Sequence, residues 1–162
     1  MIFEERYQEY RLIKKMTETE LQQFKYQAKL DGLKEPCPPA EYTSVDITLV
    51  FRWVFEPIEN PINFLPLSLR DPPRIQLFND KGKCDAWALS LYNTRAAAIN
   101  RFKIIMNRNP QSFKTLGTHL AVGFIQETDG VNSEVSEETG HISHHPYNTT
   151  DFAARFRILE KL

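Results

Sequence analysis

The sequence predicts an α+β fold: a mixed sheet of about five strands, with an N-terminal helical pair, a middle helix and a C-terminal helix packed on it. The clearest strand signal is ITLVFRWVF, residues 47–55, where side chains alternate between two faces. A strand, helix, strand pattern follows between residues 84 and 127, and apolar residues recur at helical spacing near the N-terminus. One domain is therefore expected over residues 1–162, with a helical segment at 1–33 and a sheet-containing body at 47–162.

Composition is that of an ordinary globular protein. The chain has 162 residues, of which 41% are hydrophobic and 25% charged, so it can bury a core. No apolar run approaches the roughly 20 residues that span a bilayer, and the start MIFEERYQEY lacks the apolar core of a signal peptide. We therefore expect a soluble cytoplasmic protein without a membrane partner. In that compartment Cys37 and Cys84 are expected as reduced thiols.

Nucleic acid is not an expected partner. The formal net charge of −1 provides no general attraction to a polyanion. One local feature could attract nucleic acid, a group of basic residues around the middle helix: Arg95, Arg101, Arg108 and Lys114. Because Arg95 does not share the side of Arg101 and Arg108, a solvated helix face is the better interpretation.

Two helices are predicted at the N-terminus. The first repeats apolar residues at helical spacing: Phe3, Tyr7, Tyr10 and Ile13. Thr17 and Glu20 have the spacing of a capping box that begins a second helix, although the two helices can also merge into one. Such an aromatic face usually packs on the protein's own sheet. The alternative is that it binds a protein partner or a second copy of the chain.

Prolines frame the first strand. Residues 35–44 hold three prolines and are predicted as a stiff connector, whereas residues 56–73 hold five and are predicted as a long ordered loop. The strand between them, residues 47–55, is expected at the centre of the sheet because its strand signal is the strongest in the chain. Arg52 on its second face is either a paired arginine at the core edge or a ligand-binding group.

A hairpin and a strand–helix–strand unit are predicted next. Residues 74–79 form a short strand, and a turn leads to a second strand at 85–92. Thr94 then caps a helix. Its apolar stripe consists of Ala98, Ile99, Phe102, Ile105 and Met106. The following strand, residues 119–127, is either parallel to the strand at 85–92, through a right-handed crossover, or antiparallel to it.

The C-terminal part is predicted as an exposed acidic loop, a strand and a helix. The loop covers residues 131–139, and the strand is GHISHHPY at 140–147. Asn148 or Thr150 caps the final helix, DFAARFRILEKL. Its apolar stripe consists of Phe152, Phe156 and Leu159.

No metal site is predicted. All four histidines lie in the C-terminal third: His119, His141, His144 and His145. In a strand His141 and His145 share a face but lie about 13 Å apart, at about 3.3 Å per residue, which is too far for one ion. The chain also has no Cys-x-x-Cys or His-Glu-x-x-His motif, and no motif identifies a cofactor.

His119 is the best candidate for a general acid or base, because a histidine titrates near neutral pH. It begins a strand whose same face carries Ala121 and Gly123, which leave room for a ligand. His141 and His145 are expected to project towards it from a neighbouring strand. In the alternative interpretation His119 is a hydrogen-bonded, half-buried residue and the other histidines lie on the surface.

A second polar group lies on the strand at 85–92. Ser90 and Tyr92 share a face with the small residues Ala86 and Ala88, which again leave space for a ligand. The candidate catalytic residues are therefore His119, Ser90, Tyr92, His141 and His145.

The Ser-x-Tyr strand, the helix after it and the acidic loop resemble the layout of ADP-ribosyltransferase-like folds. The resemblance implies that Ser90 and Tyr92 help to hold a nicotinamide. It also implies a catalytic glutamate in the loop, to be chosen from Glu134, Glu137 and Glu138. For the arginine or histidine of the family's first motif, Arg52 and Arg74 match in position only.

Two functions are consistent with these residues. The first is a small binding or regulatory module that uses the polar Ser, Tyr and His face of the sheet or the aromatic N-terminal helices. The second is a small enzyme acting on a nucleotide-like ligand, with His119, His141 and Ser90 as working groups. We prefer the first because no catalytic motif is complete.

Overall fold

In the computed structural model, which describes residues 2–21 and 23–162, six strands form one antiparallel sheet. The strands are β1 (Thr48–Val54), β2 (Leu89–Tyr92), β3 (His119–Ile125), β4 (Gly130–Asn132), β5 (His141–Pro146) and β6 (Arg157–Lys161). Their order across the sheet is β4-β5-β2-β1-β3-β6, and all neighbours are antiparallel. The α+β class is confirmed, with one strand more than expected and an antiparallel rather than a mixed sheet.

The described residues also form seven α-helices. They are α1 (Ile2–Leu21), α2 (Gln27–Asp31), α3 (Leu67–Arg70), α4 (Pro72–Ile75), α5 (Asp80–Asp85), α6 (Arg95–Arg108) and α7 (Phe113–Leu116). Short 3₁₀ turns lie at Pro61–Phe64 and Glu127–Asp129. Over the same part of the chain, none of these helices combines the length and the apolar character needed to cross a membrane.

β1 lies at the centre of the sheet, between β2 and β3, as predicted. Both of its faces are buried, with Val50 and Val54 on one and Trp53 on the other. Because β2 and β3 are both antiparallel to β1, they run in the same direction without touching. The strand–helix–strand unit is therefore a connection between two parallel strands that passes over β1.

The two faces of the sheet carry different cores. The face packed against α6, here called the helix face, contains Phe51, Trp53, Tyr92, Leu120 and Val122. The opposite face, here called the loop face, contains Val50, Val54, Leu89, Leu91, Ala121, Ile125 and Ile142. The loop face is covered by apolar residues of the segment 56–73, here called the proline-rich loop, and of the C-terminal part: Ile58, Phe64, Phe152 and Phe156.

α6 has the predicted cap and the predicted apolar stripe. The Thr94 hydroxyl accepts a hydrogen bond from the Ala97 amide at 3.1 Å. Ala98 and Phe102 are buried against the helix face. The Trp53 indole donates to the Ala98 carbonyl at 3.0 Å, which fixes the helix to β1.

The prediction of a hairpin between residues 74 and 92 is wrong. α4 and α5 occupy most of the first half, and β2 is limited to its last four residues. The Asn79 side chain accepts from the Gly82 amide and so caps α5. After α5 the Trp87 amide donates to the Cys84 carbonyl, so the first half of the predicted strand is a turn, whereas Leu89 and Leu91 lie in β2 as predicted.

The prediction of a C-terminal helix is also wrong, because residues 151–162 form a turn followed by the edge strand β6. The Phe156 amide donates to the Phe152 carbonyl, and this single turn places both rings on the loop face. Pairing with β3 then continues the chain as a strand. The exposed loop expected at 131–139 likewise begins inside β4.

The N-terminal segment is one long helix, α1, followed by the five-residue α2. The side chains described in α1 are exposed, including Phe3 at 91% and Tyr10 at 63%, so packing of this helix on the sheet is a wrong prediction. That a partner covers the aromatic face stays a prediction. The capping box of Thr17 and Glu20 involves side chains outside the described part of the structure.

Cys37 and Cys84 are joined by a disulfide, so the prediction of free thiols is wrong for this structure. The bond links the proline-rich connector to the last turn of α5 across 47 residues of sequence. A cross-link of this span restricts the unfolded chain.

Gly123 on β3 provides a stability test of the loop-face core. A Cβ at this position would overlap the ring of Phe156, so we expect Gly123→Ala to lower the free energy of unfolding by about 1–3 kcal/mol. The matched control is Gly32→Ala, where an added Cβ has ordinary contacts and a change below about 0.5 kcal/mol is expected. Urea denaturation measures both, and equal losses would contradict the packing described.

Candidate functional site

β1 and β2 separate after a single paired row, which opens a gap in the middle of the sheet. Phe51 lies opposite Tyr92, but the next two pairs of this register, Arg52 with Leu91 and Trp53 with Ser90, are not formed among the described residues. The guanidinium of Arg52 spans this gap, because its Nη1 donates to the Ser90 carbonyl at 2.8 Å. A side chain therefore replaces part of the missing backbone ladder.

The proline-rich loop supplies the remaining acceptors for Arg52. Its Nε donates to the Asn63 carbonyl at 2.8 Å, and Nη2 lies 3.4 Å from the Leu65 carbonyl. The loop is held in place by the fully buried side chain of Asn63, which accepts from the Phe55 amide and donates to the Phe55 carbonyl. Asn63 also contacts the carbonyls of Pro57 and Ile58.

Arg52 and Arg70 line a cavity of about 80 Å³ at this gap, here called the arginine cavity. The rest of its wall is formed by Trp53, Leu65, Pro66, Leu67, Ala88, Ser90 and Leu116. Neither arginine forms an ion pair with a carboxylate among the residues described. Burial lowers the pKa of Arg52, and the positive charge of Arg70 lowers it further.

Arg70 is incompletely satisfied. Its Nη2 donates to the Thr115 carbonyl of α7, while its buried Nε has no hydrogen-bond partner among the described residues. Burial also lowers the pKa of Arg70. Two cations thus share a cavity whose described lining offers them carbonyl oxygens but no carboxylate.

Ser90 joins the arginine cavity to a histidine on the next strand. Because β2 pairs with β5 so that Tyr92 faces His141, the Ser90 hydroxyl and His141 Nε2 come within 3.0 Å. Burial is the main cause that lowers the pKa of His141 below its ordinary value, and this favours the neutral imidazole. Burial raises the pKa of Tyr92 to about 12, so its hydroxyl stays protonated there.

His141 faces a second, larger cavity of about 500 Å³, here called the acidic cleft. Four carboxylates line this cleft: Glu41, Asp85, Glu134 and Glu137. The remaining lining includes Tyr42, Lys81, Ser133 and Ser143. The Ser90–His141 pair therefore stands between a cationic cavity and an anionic one.

His119 does not join this group. It pairs with Val54, three residues from the Phe51 that pairs with Tyr92, so His119 lies on the loop face and Ser90, Tyr92 and His141 on the helix face. Its own contacts are the Thr118 hydroxyl at 2.8 Å and Glu56 at 3.4 Å.

His145 shares the helix face with His141 but lies at the far end of β5. It is fully buried beside Asp85 and the Cys84 sulfur, at 3.4 and 3.9 Å from its Nε2. His144 points to the loop face, where its Nδ1 lies 2.6 Å from the Asn132 amide oxygen.

The residues suggested by the family resemblance do not all lie at one site. Glu134 and Glu137 line the acidic cleft with His141, whereas Glu138 lines a neighbouring groove beside α6. Arg52 lies at the gap beside Ser90, but Arg74 is exposed on α4. Arg70 and Asp85 were not predicted; an arginine at the end of a short helix in a proline-rich loop carries no local sign of burial.

Comparison of the chain with protein-family models, curated proteins and solved structures found no match. Function is therefore inferred from the arginine cavity, the Ser90–His141 pair and the acidic cleft.

Loss of the Asn63 side chain should disturb the arginine cavity, because this side chain holds the loop whose carbonyls accept from Arg52. We expect Asn63→Ala to lower the free energy of unfolding by about 3 kcal/mol, because it leaves the half-buried backbone N–H and carbonyl of Phe55 without their side-chain partner. Asn60→Ala is the control. Its side chain only caps the exposed 3₁₀ turn, so about 1 kcal/mol is expected. Urea denaturation of both variants checks the difference, and a smaller loss for Asn63→Ala than for Asn60→Ala would contradict it.

Proposed function

We propose that the protein is a binding module for a small ligand with an anionic group, and that this group enters the arginine cavity. The observation that carries the proposal is the presence of Arg52 and Arg70 in one cavity without a carboxylate partner in the described structure.

The charges of Arg52 and Arg70 are not compensated by a carboxylate among the described residues. A buried cation is costly unless it is paired, and two neighbouring cations raise the cost of each other. An anion bound between Arg52 and Arg70 removes both penalties. Guanidinium groups also match phosphate and carboxylate oxygens geometrically, since their donors form a planar fork.

The size of the cavity limits which part of the ligand it holds. About 80 Å³ accommodates several water molecules, and hence a phosphate or carboxylate group but not a whole nucleotide. The remainder of the ligand then lies outside, next to the exposed Ser90 and towards His141. A nucleotide-like molecule fits this arrangement, with its terminal phosphate in the cavity and the rest of the molecule outside.

Isothermal titration with inorganic phosphate and with AMP tests the proposal. Both should bind the wild type, AMP more tightly because it contacts surface beyond the cavity. Arg70→Gln should weaken both by about 10–100-fold, the value of a charge-assisted hydrogen bond. Arg74→Gln, which removes an exposed arginine of the same segment, should have no effect.

If the Arg70→Gln variant does not fold, binding can still be tested on the wild type. Trp53 lines the cavity, so phosphate should shift its indole N–H resonance. Absence of binding by both probes, or equal affinity of the Arg70→Gln and Arg74→Gln variants, would overturn the proposal.

An enzyme acting on a nucleotide-like ligand is the second candidate, and the Ser90–His141 hydrogen bond favours it. A neutral imidazole can accept the serine proton when the hydroxyl oxygen attacks an electrophilic centre of the ligand. Glu134 and Glu137 in the same cleft as His141 agree with the resemblance to ADP-ribosyltransferase-like folds. His119 has no part in this candidate.

Release of nicotinamide from NAD tests the enzymatic candidate. Wild type should release it, and Ser90→Ala and Glu137→Gln should each reduce the rate at least about 100-fold, as expected for loss of a working group. Glu127→Gln, an exposed glutamate outside the cleft, should retain it. No release by the wild type would exclude this activity and leave the binding proposal unaffected.

A further inference from the structure

Three potential metal ligands from three distant segments meet near the acidic cleft, and one carboxylate lies beside them. The Cys37 and Cys84 sulfurs and one ring nitrogen of His145 all lie within 4.8 Å of one another. The Asp85 Oδ1 lies 3.4 Å from His145 Nε2, on the side that opens to the cleft. Here these four residues are called the Cys–His–Asp cluster.

Two distances within the cluster are close to those of a tetrahedral coordination shell. Ligand atoms at about 2.0–2.3 Å from zinc lie about 3.3–3.8 Å from one another. The cluster shows 3.4 Å between Asp85 Oδ1 and His145 Nε2, and 3.9 Å between His145 Nε2 and the Cys84 sulfur. These two contacts need shifts of a few tenths of an ångström. The two sulfurs have to move apart after reduction, and Asp85, which is not in the group within 4.8 Å, has to move towards them.

We propose that the Cys–His–Asp cluster binds one zinc ion when the Cys37–Cys84 disulfide is reduced. The disulfide and the metal exclude each other, because a sulfur bonded to a second sulfur is not a thiolate. A thiol or phosphine reductant supplies two electrons, the S–S bond breaks, and two protons convert the sulfurs to thiols. Zinc binding then releases these two protons.

The donor set indicates the class of metal. Two thiolates with one imidazole favour zinc over magnesium or calcium, which prefer oxygen ligands. The hydroxyl of Tyr42 donates to both oxygens of Asp85, at 2.9 and 3.1 Å, and so fixes the carboxylate. The Tyr42 ring also packs against the His145 ring. Such outer contacts orient metal ligands in known sites.

A route for the ion is present. His145 is fully buried, but Asp85 is partly exposed and lines the acidic cleft. The cleft also carries Glu41, Glu134 and Glu137, whose charges attract a cation. An ion can therefore reach the cluster through the cleft.

Zinc content after reduction tests the proposal. The protein is reduced with a phosphine, freed of reductant without oxygen, and titrated with zinc against a chromophoric chelator. The reduced chain should bind one zinc ion and the oxidised chain none. Cobalt in place of zinc should give a sulfur-to-cobalt charge-transfer band, which carboxylates and histidines alone cannot produce.

Variants locate the ion. Cys37→Ser should weaken zinc binding more than about 100-fold, because even an outer-shell partner is worth about 10–100-fold. Tyr42→Phe should weaken it by about 10-fold. The control is His119→Gln, a histidine on the loop face, which should bind zinc as the wild type does.

Thiol reactivity provides a test without substitutions. Zinc should slow the alkylation of Cys37 and Cys84 in the reduced wild type by more than about 10-fold, since only a free thiolate reacts. The proposal is overturned if the reduced wild type binds no zinc, if Cys37→Ser binds it as tightly as the wild type, or if zinc leaves the alkylation rate unchanged.

Discussion

The guanidinium of Arg52 is the contact on which the central part of the structure depends. It connects β2, through the Ser90 carbonyl, to the proline-rich loop, through the Asn63 carbonyl. Without it the gap between β1 and β2 would expose unpaired backbone groups in the middle of the sheet. The same charge that closes the gap makes the cavity cationic, so the element that stabilises the sheet also determines which ligand it attracts.

Locally encoded elements were predictable from the sequence, whereas those set by distant contacts were not. α6 has its cap and stripe within 15 residues, and both are where Thr94 and the apolar spacing indicate. The spacing of Phe152 and Phe156 fits a helix equally well, but burial on the loop face and pairing with β3 decide for a turn and a strand. Helical propensity is a weak preference that such contacts override.

The candidate site shows the same limit. Ser90 and His141 are each identifiable as polar residues with space around them, but their contact depends on the β2–β5 register, 51 residues apart in sequence. His119 is excluded by a register between β1 and β3 that alternation alone cannot supply. A period of two assigns residues to faces of one strand, and only pairing between strands shows which faces coincide.

The short segment from Cys37 to Tyr42 has both ends fixed on adjacent residues of α5. Cys37 is bonded to Cys84, and the Tyr42 hydroxyl is hydrogen-bonded to Asp85. The segment is therefore held at both ends against the last turn of α5. Its residues Glu41 and Tyr42 form a rim of the acidic cleft. A ligand that enters the cleft meets a rim already held in position, so little conformational entropy has to be lost there on binding.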